Sequence, residues 1–403
     1  MFKETMTSKE RILAAINLEP YDRVPVAPQL NLEYVFRRKG RPTADAYNFA
    51  NAGQGLQFAY DLVDEVGGLD AMALCLGGGV PFTPPLVTLF AALYGDTMKF
   101  PGADERLSNE ESTPQFAERQ ILTADDYDTI IGMGWHNFCL ANLDRISKSV
   151  FGIPLNIMPL PNIAKLMTDS YIATRDAWHQ RGIPVLSGVI LADPQMLLSL
   201  MRGLVDFTLD LHRQPDKVKE VLKIMSRDIT EETIKAMLLT GHPPAERIPG
   251  IILQCERGSA TYYNLKIYEE FIWPFIKEQI LAYHEAGFVT TLHFDTDWTR
   301  NLPYLLEVPA KSCIVELDST SDIFKAKETL GDHLCIMGDV PASLSSHGTP
   351  QDMREYCEKL IDIVGKDTGL ILSTGCAVPP NTKRENFQMM IDTARNHPPP
   401  RSR

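Results

Sequence analysis

From residue 184 onward, short apolar runs recur at 184–190, 250–256, 288–295, 313–318, 334–340 and 369–375. Each closes on turn-forming or charged residues. Between them lie stretches with helical periodicity, at 195–239, 264–286, 298–307, 322–330, 350–364 and 383–395. Strands that are apolar on both faces and alternate with helices predict a parallel sheet covered by helices. Two earlier runs, 24–28 and 70–75, flank a helical stretch at 42–66 with Phe49, Leu56, Phe58, Leu62 and Val63 on its apolar face. They bring the strand count to eight, which predicts an α/β fold of the closed (β/α)8 TIM-barrel type. No Gly-x-Gly-x-x-Gly turn follows the first run, as an open dinucleotide-binding sheet would favour. The barrel is expected to be one domain spanning 1–403, with an irregular insertion or lid at 80–180, after the second strand. That insertion is rich in proline and acidic residues.

In such a barrel the chemistry sits at the C-terminal ends of the strands. Those ends carry Glu256 on the fourth strand, His293, Asp295 and Asp297 on the fifth, and Glu316 and Asp318 on the sixth. Asp339 ends the seventh strand and Cys376 the eighth, whereas the opposite ends carry almost no ligand-type groups. His293 and Asp295 are two apart and share a face of an extended strand. Histidine, carboxylate and thiolate are zinc ligand types, and three protein ligands leave the open position a catalytic metal needs. The expected metal set is therefore His293, Asp295 and Cys376. Asp297, the alternative to Asp295, is equally well placed to cap the segment at 298. Glu256 is expected as a general acid or fourth ligand, and Asp339 as a second catalytic candidate. Cys335 begins the seventh strand and should lie at the wrong end. Gly77-Gly78-Gly79 reads as a turn, lacking the Lys-Ser/Thr ending of a phosphate loop.

Bulk properties narrow the partners. A net charge of −13 argues against nucleic acid and anionic membranes. No apolar run is long enough to span a bilayer. Seven cysteines without paired spacing, and a charged start at Met1-Phe2-Lys3-Glu4, fit a cytoplasmic protein.

Several segments resemble the uroporphyrinogen decarboxylase superfamily. They are the Lys9-Glu10-Arg11 helix leading to Asp22-Arg23-Val24-Pro25-Val26, and Tyr283-His284-Glu285-Ala286-Gly287 feeding the strand that ends in His293. The Gly338-Asp339-Val340 turn and the 381–386 segment belong to the same pattern. The resemblance covers nearly the whole chain, with 80–180 matching poorly. Decarboxylases of that superfamily carry an arginine-rich signature after the first strand, where this chain continues Gln29-Leu30-Asn31-Leu32-Glu33. The other branch, the cobalamin-dependent methyltransferases, places zinc on a His-x-Cys pair and a later Cys. Here His293 and Cys376 match and Asp295 stands in the place of the first thiolate.

The resemblance implies a zinc-dependent methyltransferase with a corrinoid (cobalamin) on a partner protein. His284-x-x-Gly287 lacks the preceding Asp of a cobalamin loop, so the corrinoid should arrive on that partner. A carboxylate in place of a thiolate makes zinc a harder Lewis acid, suited to an oxygen leaving group. The expected donor is therefore an aryl methyl ether and the reaction an O-demethylation. Alternatives are transfer from methylcorrinoid to a thiol or tetrahydrofolate, methanol or methylamine as donor, and, more remotely, a metal-free decarboxylase.

Overall fold

Six strands of the computed structural model lie side by side: β1 Ser187–Ala192, β2 Gly250–Gln254, β3 Thr290–Phe294, β4 Cys313–Leu317, β5 Cys335–Val340 and β6 Leu370–Thr374. They pair in sequence order and all in parallel. Nearly every residue in them is buried, which explains their unbroken apolar character. The structure describes residues 4–397 apart from 78, 95–97, 151–152, 155–157, 242–245 and 249. Gly78, in the glycine run noted above, therefore lies outside the described residues.

The two remaining staves of the barrel pair through isolated bridges rather than as regular strands. Val26 pairs with Leu372 on β6, and Met72 pairs with Val185 just before β1. Between them the Asp70 amide donates to the Val26 carbonyl at 2.8 Å, and the Val26 amide donates to Asp70 Oδ2 at 2.9 Å. The Asp70 side chain thus takes the part of a backbone carbonyl and closes the ring. It also accepts from Arg11 Nη1 and Arg23 Nη1 at 2.5 and 2.6 Å, fully buried.

Helices follow the strands as the periodicity predicts, with local differences. The stretch 195–239 is three helices, Pro194–Arg202, Leu204–Arg213 and Pro215–Leu238. Around 298–307 only a 3₁₀ turn forms, Leu302–Glu307. The opening helix Ser8–Ile16 is capped by Thr7, in a capping box with Glu10. The first stave pairs as far as Gln29, and Asn31 then accepts from the Tyr34 amide and starts a helix, Leu32–Arg38. The segment 80–180 is more regular than its prolines suggest. It holds helices Pro84–Tyr94 and Leu160–Gln180, each with proline in the first turn, where no amide partner is needed. Among the described residues no helix is long and apolar enough to cross a membrane.

Candidate metal centre

His293 is the fourth residue of β3 and stands level with Gln254 on β2 and Glu316 on β4. In a parallel sheet, residues in register share a face, so these polar groups meet at one level of the barrel mouth. After Phe294 the strand breaks. Trp298 folds back to stack on the Phe294 ring, centroids 3.9 Å apart, and its Nε1 donates to the Asp295 carbonyl. That reversal leaves the Asp295 carboxylate beside the His293 ring.

Cys376 comes from the other end of the chain. Gly375 precedes it and packs so closely on the end of β4 that a Cβ would stand 2.8 Å from the Asp318 carbonyl carbon. The Gly375 amide donates to the Val340 carbonyl, and Thr374 Oγ1 donates to the carbonyl of Cys376 itself. Of the seven cysteines only Cys376 is not buried.

The three predicted ligands converge. Their ligand atoms lie within 4.8 Å of one another. Asp295 Oδ1 is 3.3 Å from His293 Nε2, and Cys376 Sγ is 3.8 Å from Nε2 and 3.9 Å from Asp295 Oδ2. Ligand distances of about 2.0–2.3 Å around tetrahedral zinc imply edges of about 3.3–3.5 Å, close to this spacing. Asp295 Oδ1 is buried without a hydrogen-bond partner, an orphaned acceptor that a cation would satisfy. Geometry and donor set both fit zinc.

The ring is held from behind. His293 Nδ1 lies 2.7 Å from Glu316 Oε2, and Glu316 is 1 % exposed. Glu316 Oε1 in turn accepts from Gln29 Nε2 at 2.8 Å. A carboxylate only accepts, so the Nδ1 proton points to Glu316 and Nε2 faces Asp295 and Cys376. Burial works against a charge on the imidazole, but Glu316, Asp295 and Cys376 outweigh it and lift the His293 pKa well above its usual 6.5. A metal binding here displaces a proton from Nε2.

Glu256 sits two residues beyond β2, with Oε1 accepting from Gln254 and Oε2 buried and unpartnered. Burial, reinforced by Asp295 and opposed by His293, pushes its pKa up to about 7. It therefore lies within electrostatic reach of the cluster. Asp339 is not brought there. Its carboxyl accepts from Tyr356 in the helix Pro350–Ile363 at 2.8 Å, and burial raises its pKa to about 7. Asp297 is an exposed turn residue whose Oδ1 accepts from the Thr299 amide. Cys335 is buried as the first residue of β5, at the end away from the mouth. Gln29 and Glu316 were not expected to act together. The available signal was a lone polar residue at an inward position of an otherwise apolar strand end.

A closed parallel α/β barrel with a metal-capable cluster at its C-terminal mouth is the class these features define. The Uroporphyrinogen decarboxylase (URO-D) family profile matches residues 174–397, more than half of the chain, and the protein belongs to that family. The chain is 27% identical over 133 residues to the methylcobamide:CoM methyltransferase MtbA of Methanosarcina acetivorans, covering 33% of this chain and 37% of that protein. It is 26% identical over 159 residues to a uroporphyrinogen decarboxylase of Chlorobium phaeobacteroides, covering 35% and 43%. The matched stretches thus span well under half of these relatives. A solved methyltransferase from Methanosarcina mazei shares the fold over 97% of this chain and 98% of its own, with a TM-score of 0.65 and 16% identity.

Proposed function

We propose that the protein is a zinc-dependent methyltransferase that moves a methyl group from an aryl methyl ether to the Co(I) corrinoid of a partner protein. The observation that carries the reading is the His293, Asp295 and Cys376 cluster at the barrel mouth. The methyltransferase relatives support the corrinoid partner, and the mixed nitrogen, oxygen and sulfur donor set supports the ether donor. Bound zinc would supply a Lewis acid for the ether oxygen, whose negative charge grows as the methyl leaves.

The chain's own residues divide the remaining work. Cys376, Asp295 and His293 Nε2 would hold the metal. Glu316 keeps the His293 proton on Nδ1. Glu256, with its unpartnered oxygen and pKa of about 7, holds a proton that can pass to the departing phenolate. Residues 29–33, directly after the first strand, carry no arginine, which weighs against a polycarboxylate substrate.

Transfer from methylcorrinoid to a thiol is the second reading, favoured by the methylcobamide:CoM methyltransferase activity for which the MtbA relatives are named. The experiment is zinc content of the parent and of His293→Ala and Cys376→Ala, followed by corrinoid methylation assays with a methoxylated aromatic. About one zinc per chain in the parent, lost in both variants, together with methylation of the corrinoid, supports the proposal. No zinc in the parent, or full zinc in both variants, overturns it. Zinc with transfer only from methylcorrinoid to a thiol selects the second reading.

A further inference from the structure

Two distant parts of the chain, 293–295 and 376, must agree in position for the cluster to exist, and one residue touches the supports of both. Gln29 lies just past the first bridge of the barrel. Its carbonyl accepts from the Val378 amide at 2.9 Å and its backbone is bridged to Ala377, the neighbour of Cys376. Its side chain reaches the other way: Nε2 donates to Glu316 Oε1 at 2.8 Å and lies 3.2 Å from His293 Nδ1. Gln29 is 6 % exposed and Glu316 1 %, so neither group has water as a substitute partner.

The two contacts of Glu316 leave little rotational freedom. One oxygen takes the imidazole proton and the other takes the Gln29 amide. With both filled, the carboxylate plane is fixed, and with it the direction in which Nε2 points. The backbone of the same glutamine fixes the height of the Cys376 turn relative to that ring.

We propose that Gln29 is a positioning residue of the metal centre, setting the His293 ring through Glu316 while its backbone seats the Cys376 turn. The inference rests on the zinc reading above. It goes beyond it by assigning metal affinity to a residue that is not a ligand and comes from the opposite end of the chain.

Gln29→Met keeps the backbone contacts and the side-chain length and removes only the amide donor. Zinc affinity is measured at one fixed pH by chelator competition on the full chain, and the cobalt(II)-substituted protein is examined by its d–d absorption. Gln29→Met is expected to bind zinc about 10–100-fold more weakly than the parent, with altered cobalt bands, as loss of an outer hydrogen bond predicts. In a Glu316→Leu background the same substitution should cost less than about twofold, because the coupled partner is already gone. Gln29→Asn, whose amide stops short of Glu316, gives the same reading should the methionine variant fold poorly. Parent-like affinity and cobalt bands in a folded Gln29 variant overturn the inference while leaving the zinc reading intact. An equal loss in the Glu316→Leu background also overturns it. A parent that binds no zinc removes both.

Discussion

Asp295 Oδ1 lies 3.3 Å from His293 Nε2 and has no hydrogen-bond partner of its own. On the opposite side of the ring, Nδ1 is taken by Glu316. The imidazole is therefore fixed on one edge and presented on the other to a carboxylate and a thiol. A proton on Nε2 pairs the ring with Asp295, and a metal ion taking that proton's place would join carboxylate, thiol and imidazole at one point.

The choice of carboxylate at 295 gives a direct test of the ether reading. Asp295→Cys should retain zinc, because thiolate is a good zinc ligand, but should soften it. Demethylation of an aryl ether is expected to fall by at least about tenfold, roughly 1.4 kcal/mol in the barrier. Transfer to or from a thiol should suffer less. Steady-state rates on both donor classes, with zinc content confirmed, check this.

Glu256 is expected to act as a protonated group. With its pKa raised to about 7, it carries its proton below neutrality and loses it above. Activity should decline as pH rises through that region. Glu256→Gln should lower kcat by about 10²–10⁴-fold and abolish that decline, while leaving the zinc content at the parental value. Loss of zinc in Glu256→Gln would instead make it the fourth ligand.

Asp339 separates stability from catalysis. Its folded pKa, about 7, lies above the unfolded value of about 3.9. Between those values the folded state holds the proton more tightly than the unfolded one. Stability therefore falls as pH rises from about 4 to 7 and levels off beyond, by a few kcal/mol at most. Asp339→Asn keeps an acceptor for Tyr356 and cannot ionise. Its stability relative to the parent should rise across that window in urea denaturation, with transfer activity reduced only slightly.

Asp70 carries the barrel closure. Asp70→Ala removes the partner of two buried guanidinium groups and of the Val26 amide. Breaking a buried pair of this kind costs about 3–5 kcal/mol. A lower midpoint of thermal unfolding, with loss of zinc tracking loss of fold, is the expected result.

The strand ends were legible in the sequence because a parallel barrel puts its chemistry at one end of strands that are otherwise apolar. His293, Asp295 and Cys376 stood out against Leu292, Phe294 and Leu372 as polar groups with no packing reason to be there. The first two staves were legible only as apolar runs. Their closure by the Asp70 carboxylate is a long-range contact that no local pattern encodes. Helix Pro84–Tyr94 was hidden by its prolines, which mark a first turn as readily as a break. Asp339 stood out by the same logic, and its carboxyl is engaged by Tyr356 of the helix layer, a contact that no local pattern encodes. Gln29 escaped notice because its significance lies in register with residues far along the chain.

The candidate centre also dates its own assembly. His293 and Cys376 are 83 residues apart, and Gln29 meets His293 across 264. During synthesis the His293 strand is complete while Cys376 has not yet been translated, and Gln29 has no β6 edge to rest on. The donors come together only when β6 has joined the sheet that carries β3. An ion seated on all three ligands would tie β3 to the turn after β6 across the mouth like a clasp, so loading belongs to the folded chain and not to the nascent one.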